Sequence, residues 1–155
     1  MCIRDRPPAD YTEKDLEIQR IVADAASNAD AAIEQFRIDE AISSIWTIVD
    51  ALNGYITANE PWALAKQANS GDEAQRGRLG TVLYTCAEGL RALAVLLSPV
   101  MPQSTEKLWV ALGAAESLGR LQDQPIREAG AWGALRPGTS VNGLSPLFPR
   151  VESNA

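Results

Sequence analysis

Leu79-Gly80-Thr81-Val82-Leu83-Tyr84-Thr85-Cys86-Ala87-Glu88-Gly89-Leu90-Arg91-Ala92-Leu93-Ala94-Val95-Leu96-Leu97 is the stretch on which the fold turns. Leu79, Val82, Leu83, Cys86, Leu90, Leu93 and Leu97 recur at the three- and four-residue spacing of one helical face. Gly80 and Gly89 each lower helix propensity by roughly 1 kcal/mol against Ala, and Gly89 in the middle of the apolar run calls for a packing reason. For Gly89 that reason is a neighbouring helix at close approach. Glu88 and Arg91, three apart, read as an intrahelical ion pair. Pro99 ends the helix. Pro102 fits the first turn of the next, which runs through Leu108, Trp109 and Leu112 to a Gly113 C-cap.

Upstream, the polar run 69–73 is a loop, and its acids Asp72-Glu73 suit a helix start, as Asp39-Glu40 do earlier. Pro61 restarts a short helix through Trp62, Leu64, Ala65 and Lys66. The helix before it carries Ile42, Ile45, Val49, Leu52 and Ile56 on one stripe, with Trp46 and Ile48 at its flanks. It stops near Asn59, because a proline disfavours α geometry in the residue before it. The first helix opens after Thr12, a cap residue, with Glu13 and Asp15 in its first turn. Its stripe is Ile18, Ile21, Val22, Ala25, Ala29, Ile33 and Phe36, rich enough in Ala for a neighbour to come close. A break follows at Arg37-Ile38-Asp39, with Asp39 as N-cap.

Downstream of Gly113 the periodicity weakens. Residues 117–121 suit one helical turn, and Trp132, Pro137-Gly138, Asn142-Gly143, Pro146 and Pro149 belong to a loop-rich tail. The run Leu144 to Pro149 is apolar enough to pack back on the helices. The expected fold is all-α, an antiparallel bundle of about four main helices with short connections and a loop-rich C-terminal tail. Residues 13–113 form the bundle, 114–155 a tail packed on it, and 1–12 a non-native or linker N-terminus. The stripes 42-45-49-52-56 and 79-83-86-90-93-97 are expected to face each other in one core that includes Leu90. Trp46 and Trp109 are expected in the core, with Trp132 as the tail's anchor.

Composition agrees with packed helices. Hydrophobic residues make up 46% and aromatics only 6% of the 155 residues, which favours helix on helix over a sheet sandwich. There is no histidine, which excludes His-based acid–base catalysis, His-dependent triads and the ExxH motif of di-iron bundles. Neither a phosphate-binding Walker loop nor a GxGxxG after a strand is present. The two cysteines, Cys2 and Cys86, make no disulfide framework; they suit a reduced, cytoplasmic protein with a small buried thiol at Cys86. The longest apolar run, Leu90 to Val100, is too short for a membrane span, and Met1 to Arg6 has no signal-peptide core. The net charge of −6 does not advertise a nucleic-acid partner. Its distribution is uneven, however: residues 1–60 hold 12 acids and 5 bases, residues 61–155 hold 8 acids and 9 bases. Any RNA contact belongs from Pro61 onward.

Three segments carry a resemblance. They are Ala51 to Lys66, with Asn-Gly-Tyr-Ile and Pro-Trp-Ala-Leu-Ala-Lys; Leu83 to Pro102, continuing to Lys107-Leu108-Trp109 and Leu112-Gly113; and Pro146-Leu147-Phe148-Pro149-Arg150. Together with the helix over 36–45 they make roughly residues 13–152 resemble the anticodon-binding domain of methionyl-tRNA synthetases, a class I family. The middle segment is shared in outline with the Ile, Val, Leu and Cys enzymes, which are the alternative within the class. A helical scaffold that binds no RNA is the alternative outside it.

The resemblance implies a tRNA partner, read at the CAU anticodon. It also implies a catalytic domain of the same enzyme, where ATP and methionine would bind. No cofactor is expected in this chain and no adenylation activity from it alone, since the HIGH- and KMSKS-type signatures and the zinc knuckle are absent. The family's Trp directly after Pro stacks on the anticodon, and Pro61 and Trp62 match it. Its Asn-x-x-x-Arg helix has no match here and is expected upstream of residue 7.

Each candidate has a plainer reading. Trp62 could instead fold onto the bundle. Lys66, one turn on, is placed to meet a phosphate or simply to be solvated. Asn59 could read a base edge or cap a helix end. Asn53 and Tyr55 match the family but read as structural.

Overall fold

The computed structural model describes residues 11–136 and 138–149. Residues 1–10, with Cys2 and most of the expected N-terminal linker, lie outside the described residues, as does Arg150. Among the described residues six helices run in order: α1 (Glu13–Glu34), α2 (Ile38–Asn59), α3 (Pro61–Asn69), α4 (Glu73–Leu97), α5 (Pro102–Ala111) and α6 (Ala114–Leu118). Two single 3₁₀ turns follow, Leu121–Asp123 and Ile126–Glu128. The turn expected over 117–121 is therefore split: α6 starts earlier, directly after the left-handed Gly113, and a separate turn begins at Leu121.

The helix ends follow local chemistry. Asp15 reaches back from the first turn of α1 to accept from the Thr12 backbone N–H at 2.7 Å and the Thr12 hydroxyl at 2.9 Å. The Asp72 carboxylate accepts from the N–H groups of Ala74 and Gln75 at the start of α4, both at 3.1 Å. α1 closes with Phe36 N–H on the Ile33 carbonyl and Arg37 N–H on that of Ala32, the paired bonds of a Schellman end. That ending needs a left-handed residue, and the residue there is Phe36, at φ +59. This corrects the expected stripe: Phe36 lies past the helix and is 91% exposed. α2 then starts at Ile38, so Asp39 sits inside its first turn and is not its N-cap.

α4 is the central helix and packs against α1, α2, α3 and α5. From Thr81 to Leu97 it is buried on most sides, with Val82, Ala92 and Ala94 wholly enclosed. Leu79, Leu83, Cys86 and Leu90, which the periodicity places in the core, are half-buried at its rim. A helix covered from several directions has no single core stripe, so its leucines do not mark the deepest face. α4 is also longer than the apolar run read from the sequence. By length and composition it could cross a membrane, but most of its apolar window is buried inside the protein. Burial keeps the Cys86 thiol protonated, with its pKa pushed up to about 11.

α1 and α2 form a tight hairpin. Val22, Ala25, Ala26, Ala29 and Ala32 are buried on α1, and their small side chains allow the close approach that the sequence suggested. On α2 the buried residues are Ala41, Ile45, Ile48, Leu52 and Tyr55. The buried face is thus rotated from the expected 42-45-49-52-56 line, and Trp46, expected in the core, is 50% exposed. Ile42 and Val49 are half-buried. Apolar residues cover so much of α2's circumference that the centre of its buried face could not be located from spacing.

The packing reason for Gly89 is visible: a Cβ there would stand 2.8 Å from both Cδ atoms of Leu52 on α2. Gly80, on the same helix, has nothing within 4 Å of such a Cβ. Opposite outcomes are expected in chemical denaturation. Gly80→Ala should stabilise by about 0.5–1 kcal/mol, whereas Gly89→Ala should destabilise by about 1–3 kcal/mol through overpacking.

The tail docks along α4 and α1. Trp109 is wholly buried and donates its indole N–H to the Gly119 carbonyl at 2.8 Å. Leu121, Ala129 and Leu135 join the core, with Trp132 half-buried against it. The last described segment does not pack back as its apolarity suggests, since Leu144 is 42% and Phe148 70% exposed.

Candidate nucleic-acid interface

The site grows out of the joint between α2 and α3. Glu60 leaves α2 in the left-handed region, at φ +43. Its N–H still reaches the Ile56 carbonyl at 3.1 Å, and its own carbonyl accepts from Ala63 at 2.8 Å and Leu64 at 3.2 Å. One residue therefore closes one helix and opens the next. Pro61 takes the first position of α3, where its missing N–H costs no hydrogen bond.

α3 packs on α4 by burying Ala68 and resting Leu64 against the core. That choice of face turns Trp62 and Lys66 outward together, one turn apart. Trp62 is 62% exposed. The indole is not folded onto the bundle, and it stands on a helix start seated against the core. Pro61, which precedes it, is half-buried. Lys66 is exposed and enters none of the ion pairs among the described residues.

Asn59 is half-buried, and its amide is occupied inside the protein. Nδ2 donates to the Tyr55 carbonyl at 2.8 Å, and Oδ1 accepts from Arg78 Nη2 at 2.6 Å. Of the four candidate residues, Trp62 and Lys66 are exposed together one turn apart, Pro61 is half-buried at the start of α3, and Asn59 is hydrogen-bonded to Arg78.

The charge around Trp62 is mixed. Glu60 is exposed beside it, and Arg76 is paired with Glu73 at 3.3 Å while also reaching the Ala68 carbonyl at 3.3 Å. Arg78, counted among the bases of the second half, is consumed internally. Its Nη1 reaches Asp15 Oδ2 at 2.5 Å and its Nη2 reaches Oδ1 at 3.0 Å.

Asp15 is wholly buried and also accepts from the Tyr55 hydroxyl. Burial alone would raise its pKa, but Arg78, Tyr55 and the two Thr12 donors outweigh that and hold it below the ordinary 3.8. The Tyr55 hydroxyl is pushed well above its usual value by burial and by donating to that carboxylate. This network escapes a sequence reading that sees Asp15 only as a favourable first-turn acid. The one local signal is Thr12 three residues before Asp15, the spacing at which a first-turn carboxylate reaches back. Arg78, 63 residues away, carries no such mark.

An exposed indole on a seated helix start, with one unpaired cation a turn away, can stack a flat ring and meet a phosphate.

Comparison with known proteins identifies the family. Residues 15–138 match the family described as the anticodon-binding domain of tRNA ligase. A methionine–tRNA ligase from Streptomyces coelicolor is 46% identical over 129 residues, which is 83% of this chain and 23% of that protein. One from Caldanaerobacter subterraneus is 34% identical over 145 residues, 94% of this chain and 21% of that protein. The fold superposes on the apo crystal structure of methionyl-tRNA synthetase from Mycobacterium tuberculosis with a TM-score of 0.81 at 26% identity, covering 97% of this chain and 28% of that one. The chain thus spans less than a quarter of the length of these curated relatives. It belongs to the family of anticodon-binding domains of tRNA ligases, and within that family to the methionyl-tRNA synthetase kind.

Proposed function

We propose that the chain recognises the anticodon loop of the methionine tRNA, with Trp62 as the platform on which a loop base stacks. The observation that carries this reading is the 62% exposure of an indole at the start of a helix whose other face is packed on the core. Stacking on such a platform contributes about 1–3 kcal/mol per base. Pro61 sets the start of α3, Lys66 approaches a phosphate, and Asn59, hydrogen-bonded to Tyr55 and Arg78, borders the platform.

In the intact enzyme this domain would select the tRNA for ligation of methionine at the expense of ATP, in the cytoplasm. ATP and methionine would bind the catalytic domain, which is this domain's other partner. Selection here is differential binding with no bond made.

The mixed charge has a consequence for binding. With Lys66 as the main phosphate contact, log K should fall against log salt with a slope near −0.7 for each phosphate neutralised, so about −1 at most. Titration of a stem-loop bearing CAU, followed by anisotropy, should show tighter binding than titration of one with a scrambled loop. Lys66→Ala should weaken both alike, because a phosphate contact carries no sequence information. Equal binding of the two loops by the parent chain would remove the anticodon reading, and no binding of either would favour a scaffold.

A further inference from the structure

Arg78 lies on α4, yet its side-chain hydrogen bonds go to two other helices. It grips Asp15, in the first turn of α1, with both Nη atoms, and Asn59, the last residue of α2, with Nη2 at 2.6 Å. One guanidinium thus ties the beginning of α1 to the end of α2. Asn59 cannot rotate freely, because its other amide atom is bonded to the Tyr55 carbonyl at 2.8 Å. Tyr55 in turn is buried and hydrogen-bonded to Asp15.

Between Asn59 and Trp62 there are only Glu60 and Pro61. Glu60 is left-handed without being glycine, and Pro61 has a ring-fixed φ and no N–H. So short and restricted a joint has few conformations, and the direction in which α3 leaves depends on how its anchor at Asn59 is held. We propose that Arg78, acting through Asn59, is a positioning residue for Trp62: it holds the take-off point of α3 and so fixes where the exposed indole stands. The proposal rests on Trp62 being the base platform. Arg78 itself is three-quarters covered, with its side chain 23% exposed, and its charge is satisfied by Asp15, so it acts without touching RNA.

The test uses Arg78→Gln and Asn59→Ala in the full 155-residue chain, each alone and combined with Trp62→Ala. Asn59→Ala leaves the Asp15–Arg78 pair intact, and it keeps the test decisive if Arg78→Gln does not fold. Binding to the CAU stem-loop, its salt slope, and ¹⁵N relaxation of the Trp62 and Trp109 indole N–H groups in the free protein are measured well below the melting temperature. Both variants should loosen the Trp62 indole but not that of Trp109. Each should weaken the stem-loop by up to about tenfold, within what loss of stacking allows, without changing the salt slope. Neither should weaken it further once Trp62 is Ala. An unchanged Trp62 indole with unchanged affinity overturns the proposal and leaves Arg78 a fold residue. A loss that persists in the Trp62→Ala background, with a shallower salt slope, also overturns it and makes Arg78 a phosphate contact. If the parent chain binds no stem-loop, the anticodon reading fails, and the indole relaxation alone still decides whether Arg78 positions Trp62.

Discussion

Glu88→Ala is expected to cost about 3–5 kcal/mol of folding stability, the range for removing one member of a buried ion pair. Glu88 is wholly buried, and Arg91, its partner at 3.2 Å, is 3% exposed. The pair does more than brace one turn of α4. Glu88 accepts from the backbone N–H groups of Gly133 at 3.0 Å, Ala134 at 3.4 Å and Leu135 at 2.6 Å. Arg91 donates to the carbonyls of Ala129 at 3.1 Å and Ala131 at 2.6 Å. Tyr84 adds a hydrogen bond from its hydroxyl to the Leu135 carbonyl at 3.0 Å. Removing the carboxylate strands a buried guanidinium and orphans three backbone donors, which the protein interior cannot resupply. Urea unfolding should show the loss, and limited proteolysis should cut faster between residues 129 and 136. Glu88→Gln, which keeps an acceptor but not the charge, should fall between parent and Ala. A change under about 1 kcal/mol for Glu88→Ala would mean that water already reaches these groups.

Trp109→Ala should be comparably severe, at about 3–5 kcal/mol for a large aromatic removed from a packed core. Trp109 is 0% exposed on α5, and its indole N–H is bonded to Gly119 beyond α6. The substitution therefore opens a cavity and frees the corner that turns the chain from α5 into the tail. That corner is already restricted: Gly113 is at φ +69, and a Cβ on it would lie 2.6 Å from Thr139 Cγ2 and 2.7 Å from the Ser140 carbonyl oxygen. Thermal melts should show a lower midpoint for Trp109→Ala. Trp46→Ala, at a 50% exposed position, should fall near the small effects typical of surface sites, within about 0.5–1 kcal/mol. Equal losses at the two tryptophans would contradict the burial described here.

The contrast between those two tryptophans shows what could be read from the residues. Several helix ends were legible from a local rule: Thr12, Pro61, Asp72, Pro99, Pro102 and Gly113 mark ends or starts through their own backbone or side-chain chemistry, whereas the same reasoning misplaced the cap of α2 at Asp39, which lies inside its first turn. The close contact at Gly89 was legible because a glycine inside a long helix calls for a reason. Burial phase was less legible. Trp46 and Trp109 both fall on apolar stripes, but α2 is apolar around much of its surface and α4 is covered from several sides, so spacing alone does not say which stripe lies deepest. Glu88–Arg91 was legible as a pair and not as a clamp, because its other partners are backbone groups of the tail, which have no side-chain signature. The same holds for Asp15 and Arg78, whose meeting depends on the bundle closing. Of the candidate site, the Pro61-Trp62 joint followed from proline chemistry and from the family resemblance. The outward direction of Trp62 did not; it follows from which face of α3 meets α4.

The most direct test of the anticodon platform is the affinity of the CAU stem-loop for the parent chain and for Trp62→Ala, measured alongside their circular dichroism melts. Because Trp62 is 62% exposed, the melts should coincide, while affinity should drop by about 1–3 kcal/mol, roughly 5- to 150-fold. Coincident melts with unchanged affinity, or a Trp62→Ala chain that unfolds, would contradict the assignment of Trp62 as the surface on which the anticodon is read.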